Sequence, residues 1–169
     1  MSGNFQLGLV RTIRPEPGFV GFSIHKNSAR DEVKLSTPSR VQPPITIYDE
    51  KGPNVTALMQ KFTTSYPKIP AEVANRVHQD PRRIRAKYDV ISLTQGSLSL
   101  KDVPTFIMIR LEESGDGLNM QAIGPDGPEN IIWENRDIVE VSGANKLKLI
   151  GPGRWIGIGI TYEVAEMAG

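Results

Sequence analysis

Few side chains in this sequence are spaced for nucleophilic or metal chemistry. A serine, threonine or lysine nucleophile needs a base beside it. The chain offers only His25 and His78 as imidazole bases, and no Gly-x-Ser-x-Gly turn presents a serine. It contains no cysteine, which removes disulfides, thiolate nucleophiles, zinc fingers and iron–sulfur clusters together. No His-x-His, His-Glu-x-x-His or EF-hand spacing occurs, so neither a metal nor another cofactor is expected. His25 stands in a polar stretch and His78 beside arginines, settings more typical of surface residues than of ligands.

Carboxylates are more numerous. Glu112-Glu113 and the set Asp126, Glu129, Glu134, Asp137 and Glu140 could support acid–base hydrolysis if two of them met in one cleft. Consecutive residues of a strand point to opposite faces, so Glu112 and Glu113 cannot act together without a bulge, and a solvated acidic rim is expected. The segment GPGRWIGIG, residues 151–159, has the glycines of a phosphate loop. It lacks the Lys-Ser/Thr ending and a following helix whose N-terminus could hold the anion.

The densest positive cluster lies between two elements, where Arg76, His78, Arg82, Arg83, Arg85 and Lys87 fall within a dozen residues. Guanidinium forks suit phosphate on RNA or on anionic lipid. Arg76, Arg82, Arg83, Arg85 and Lys87 are therefore the candidate phosphate-binding residues, with Tyr66 and Tyr88 flanking them. The formal charge of +1 hides an asymmetry: residues 1–90 hold 14 Lys/Arg against 8 Asp/Glu, and residues 91–169 hold 6 against 11. Opposite charge on different surfaces would favour head-to-tail association of copies.

These residues must be positioned by short elements. Thirteen prolines and sixteen glycines in 169 residues imply many turns and few long helices. Residues 5–13, FQLGLVRTI, alternate as a strand and Arg14-Pro15-Glu16-Pro17-Gly18 turns the chain, after which Phe19 to Ile24 resumes an extended pattern. Residues 25–44 are polar, with Val33, Leu35 and Val41 as anchors, and read as a mobile loop or arm. ITIY is a short strand. Asn54 can cap a helix whose Val55, Leu58, Met59 and Phe62 form one apolar stripe, and Pro70 opens a second helix through Val73 and Val77.

From Tyr88 the texture becomes a series of strands: YDVISL, SLSL, PTFIMIRLEE, LNMQAI, NIIWE, DIVEV, KLKLI and RWIGIGITYEVA. Turn markers such as Gly124-Pro125-Asp126-Gly127-Pro128 separate most of them. This predicts a mainly β (α+β) domain over 1–169, an antiparallel sandwich or barrel with one or two short helices in its N-terminal half and a β-rich block at 87–165. In the last strand Ile156, Ile158, Ile160, Tyr162 and Val164 share one face. Trp155, Gly157 and Gly159 share the other, whose flatness admits a ring, a backbone or a second subunit. They are the candidate self-association residues, with ordinary packing against a second sheet of the same chain the equally open alternative. No basic region followed by an apolar stretch opens the chain and no membrane-length apolar run occurs, so a cytoplasmic or virion-associated protein is expected.

In outline, RVQPPITIYDE followed by VTALMQKF and PRRIRAKYDVISLTQGSLSLKDVPTFIMIRLEE resembles the matrix proteins of rhabdoviruses. The strand-rich second half is also similar to a jelly-roll coat protein. Either resemblance implies a nonenzymatic structural protein that self-associates and contacts RNA, a nucleocapsid or an anionic membrane. The competing readings are a monomeric sandwich that binds a peptide, sugar or small ligand at the rim formed by turns 114–117 and 124–128, and an enzyme using carboxylates or lysine.

Overall fold

The computed structural model describes residues 9–13, 22–48, 51–114, 118–133 and 137–165. Its frame is a pair of antiparallel sheets with a helical layer on the outside of the larger one. In chain order the elements are β1 (Val10–Thr12), α1 (Phe22–Lys34), β2 (Arg40–Gln42), β3 (Ile45–Tyr48), α2 (Pro53–Ser65) and α3 (Ile69–Val77). A single 3-10 turn, Pro81–Arg83, leads into β4 (Ile84–Leu93), β5 (Gly96–Ser99), β6 (Thr105–Ser114), β7 (Asn119–Gly124) and β8 (Gly127–Ile131). The chain ends with β9 (Ile138–Ser142), β10 (Lys146–Ile150) and β11 (Arg154–Val164). The seven-stranded sheet runs β1-β9-β6-β11-β4-β3-β2 and the four-stranded sheet runs β5-β10-β7-β8. The mainly β sandwich with helices in its N-terminal half is thus the observed class, and seven of the eight strand signals after Lys87 correspond to β4 to β7 and β9 to β11, whereas β8 begins at Gly127, inside the expected turn, and shares only Asn130 and Ile131 with the expected strand NIIWE.

Period-two alternation makes the large sheet two-sided. Val90, Ile107, Ile109, Ile138, Ile158 and Ile160 face the helices, where Val55, Leu58, Met59 and Phe62 of α2 cover them with Ile69, Val73 and Ala74 of α3. Their neighbours in sequence, Ile91, Phe106, Met108, Val139 and Trp155, face the small sheet and meet Leu98, Met120, Ala122, Leu147 and Leu149. Between Ile156 and Gly157 the register with β6 shifts by one residue, so Leu111 is the extra residue of a bulge.

The segment expected as a mobile loop at 25–44 is instead mostly helical. Phe22, Ala29 and Val33 are the buried residues of α1, spaced seven and four apart on one stripe. Alanine contributes to that stripe although it was not counted among the anchors, and α1 packs on α2 through it. Residues 22–24, expected as strand, begin this helix. The turn expected at 14–18 lies outside the described residues. The cap expected from Asn54 also comes from elsewhere: Gly52 is the N-cap of α2, and Glu32 of α1 accepts from the backbone N–H of Asn54 at 2.9 Å and of Val55 at 3.1 Å. A carboxylate at that helix end satisfies free donors and meets the positive end of the dipole. Among the described residues no helix is long and apolar enough to cross a membrane.

Candidate functional site

The most constrained polar group of the molecule is Glu140. Strand alternation in β9 places it on the helix side between Ile138 and Ser142, and it is only 2% exposed. Two elements bring cations to it. β1 pairs with β9 so that Arg11 lies directly opposite Glu140, and its Nη2 donates to Oε2 at 2.9 Å. Arg76, on the last turn of α3, donates from Nη2 to Oε1 at 3.0 Å, so each carboxylate oxygen receives one guanidinium. Arg76 Nη1 also donates to Ser142 Oγ at 2.9 Å and to Thr105 Oγ1 at 3.1 Å. Glu72, one turn before Arg76, accepts from Arg11 at 3.2 Å.

The electrostatics follow from this geometry. Burial works against the charge of Arg11, but Glu140, with help from Glu72, outweighs it and leaves the guanidinium pKa raised. Tyr162, on the same face of the sheet, has its phenol pushed up to about 12, first by burial and then by the negative charge of Glu140. A buried ion pair is stable only when its remaining lone pairs and protons are bonded. Here Thr105 and Ser142 supply that second ring of partners.

Beside the cluster lies a cavity of about 560 Å³ between β1 and the turn joining α2 to α3. Arg11, Lys68 and Glu72 are its charged lining, and Ile13 and Ile69, both buried, form part of its apolar wall. Its size falls within the range of small-molecule sites. The nearby carboxylates that attracted attention in sequence do not join it. Glu112 pairs with Lys34 at 2.8 Å, Glu113 and Asp137 pair with Arg110 at 3.4 and 3.2 Å, and Lys26 also reaches Asp137 at 3.0 Å.

The structure disperses the expected basic connector. Arg76 turns inward to Glu140, whereas Arg82 is 90% exposed and forms a local ion pair with Asp80 at 2.8 Å. The hydrogen bond from the Arg82 side chain, reinforced by its backbone N–H, holds the Asp80 carboxyl down at about 2. Arg83 donates to Gln79 at 2.7 Å and to the carbonyl of Ala165 at 2.9 Å, Arg85 donates to the carbonyl of Arg82 at 3.1 Å, and Lys87 is exposed on β4.

Trp155, Gly157 and Gly159, expected as a self-association face, lie between the sheets of this one chain. Trp155 is fully buried against Trp133, with ring centroids 5.7 Å apart. A Cβ on Gly157 would collide with the carbonyl oxygen of Ile109, and one on Gly159 would stand 2.8 Å from the Phe106 ring. The flat face is filled from within. Sequence reasoning missed Arg11 and Lys68 altogether and placed Glu140 on a solvated rim. The available signal was the apolar flanking of Glu140 in DIVEV, which marks its strand as buried on both faces.

No protein-family model matches the sequence, and no curated protein matches it. Solved structures do share its architecture. A prolyl-4-hydroxylase from Pseudomonas putida superposes with a TM-score of 0.61 at 8% identity, covering 92% of this chain and 91% of that one. The Fe(II)/α-ketoglutarate-dependent dioxygenase TqaL gives 0.56 at 9% identity over 96% and 85%. EvdO2 from Micromonospora carbonacea var. aurantiaca gives 0.50 at 8% over 95% and 88%. At such identities the likeness is one of fold. The folds it shares are those of a hydroxylase and a dioxygenase, which corrects the expected resemblance to rhabdovirus matrix proteins and jelly-roll coat proteins and, with it, the nonenzymatic assembly reading and the binding-module alternative drawn from sequence.

Among the described residues the iron of such enzymes finds no fitting set. The inward positions of the small sheet are Leu98, Met120, Ala122, Ile131, Leu147 and Leu149, none of which offers the imidazole or carboxylate donors of a non-haem iron(II) site. His25 on α1 and His78 at the end of α3 stand in the helical layer, on the other side of the large sheet. Among the described residues no three His, Cys, Asp or Glu side chains gather. A cavity of about 120 Å³ does open among Ile91, Leu98, Phe106 and Gly159, but its one carboxylate, Asp89, is paired with Lys51 at 3.5 Å.

Proposed function

We propose that this chain is an enzyme of the dioxygenase architecture that holds its substrate in the pocket between β1 and the α2–α3 turn. Proton transfer at Glu72 would supply its chemistry in place of iron chemistry between the sheets. Support for an enzyme comes from the architecture shared over nine-tenths of the chain with a hydroxylase and a dioxygenase. The observation that carries the site is the pocket itself: Glu72 is its lining carboxylate, 3.2 Å from the Arg11 guanidinium, at the edge of an apolar wall. A carboxylate at the rim of a cavity lies within reach of a proton on a substrate bound there, which is the placement general-base catalysis requires.

Turnover of a complex mixture of small metabolites, followed by mass spectrometry, tests this reading. Wild-type protein is expected to deplete at least one component catalytically, and Glu72→Gln to slow that depletion by about a hundredfold or more. Glu72 is partly exposed, so the substitution leaves the fold intact. No depletion, or equal depletion by the variant, contradicts the proposal.

A further inference from the structure

We infer that the substrate class of this pocket is a small carboxylic acid with an apolar body, a conclusion that rests on the pocket being the substrate site. Charge matching leads to it. Glu140 is met by Arg11 and Arg76 at 2.9 and 3.0 Å, and Glu72 by Arg11 at 3.2 Å and Arg76 at 3.9 Å. The carboxylates and these two arginines therefore balance. Lys68, on the pocket wall, has no partner among the described residues, and it is the unbalanced charge.

Arg11 adds directional donors. Both of its ion pairs run through Nη2, which leaves its Nη1 and Nε donors outside those pairs. A guanidinium whose Nη1 and Nε lie outside its ion pairs among the described residues, and an ammonium on the same cavity wall, present the donors that a planar monoanion accepts. A dianion would bring a second negative charge towards Glu72, and the described lining holds no second unbalanced cation to meet it. The apolar wall of Ile13 and Ile69 then defines the rest of the ligand, because burying hydrocarbon there is favourable by the area removed from water.

The probes are straight-chain acids from acetate to octanoate, with the amide and the alkyl phosphate of matching length, titrated into the full chain by calorimetry. Affinity is expected to rise with chain length, by up to about fourfold per methylene. The amide is expected to bind at least about tenfold more weakly than the acid, and Lys68→Met to weaken the acid by about fivefold to tenfold while leaving the amide unchanged. Lys68 is exposed and pairs with none of the described residues, so this variant folds as the wild type does.

Amide binding equal to acid binding, or no effect of Lys68→Met, overturns the inference. An alkyl phosphate that binds more tightly than the acid of equal length overturns the assignment to carboxylates. Acid binding with no turnover of any metabolite upholds this pocket assignment and contradicts the enzyme reading. Turnover of metabolites with no acid bound does the reverse.

Discussion

Arg76 Nη2 lies 3.0 Å from Glu140 Oε1, joining the C-terminal turn of α3 to the second strand of the large sheet. Arg11 completes the joint from the edge strand β1, whose outer side no described strand covers. One buried carboxylate thus fixes the helix layer, the sheet edge and one wall of the pocket at the same time.

Removing that carboxylate should therefore cost more than its contact area suggests. Glu140→Ala leaves two guanidiniums without their shared carboxylate, and breaking one side of a buried pair typically costs about 3–5 kcal/mol. Arg11 is 49% exposed and recovers some hydration, so a loss of about 2–4 kcal/mol is expected in urea denaturation. Glu140→Gln keeps the shape and two acceptor lone pairs and should lose less. Equal stability of Glu140→Ala and wild type would show that the joint contributes nothing.

The close approach of Gly159 to Phe106 makes an opposite kind of prediction. In an unconstrained strand Gly→Ala gains roughly 0.5–1 kcal/mol from reduced chain entropy. Here the new methyl would meet Phe106 at 2.8 Å and Ile91 at 3.0 Å, and overpacking of that kind costs about 1–3 kcal/mol. The clash wins, so Gly159→Ala destabilises. Adding Phe106→Leu should recover part of the loss, and a double-mutant cycle by denaturation measures the coupling. Strict additivity of the two changes would contradict the contact.

Tyr162 predicts how stability behaves in alkali. Its phenol titrates at about 12 in the folded chain against 10.0 in the unfolded one, so the folded state keeps the proton longer. The contribution is fully present below pH 10 and is lost as pH rises from there towards 12. The loss is on the order of 2 kcal/mol. Thermal melts across this range should show a decline that Tyr162→Phe reduces, and an identical decline in the variant would contradict the assignment.

The legible part of the fold was what repeats at short range. Alternation from Tyr88 onward yields the strands, and the stripe Val55, Leu58, Met59 and Phe62 yields α2, because period-two and period-3.6 patterns are local. The helix α1 was hidden because its buried stripe uses Ala29 and sits among charged residues whose role is external: Lys26 and Lys34 reach strand-side carboxylates and Glu32 caps α2. The site was less legible still. Arg11 and Glu140 are 129 residues apart and meet only because β1 adds to the edge of β9, while Arg76 was grouped with its sequence neighbours although its partners lie on β6 and β9. Gly157 and Gly159 correctly signalled a close approach, and the occupants are the rings of Trp155 and Phe106 in the same chain.

Among the described residues the interior between the two sheets presents no iron-binding set, and anaerobic titration with cobalt(II), read by its visible d–d absorption, probes that interior. The apolar inward positions Leu98, Met120, Leu147 and Leu149 predict that the aqueous cobalt(II) spectrum persists throughout the titration. A new absorption band that saturates at one equivalent of metal would contradict the account and return the chemistry to the interior of the sandwich.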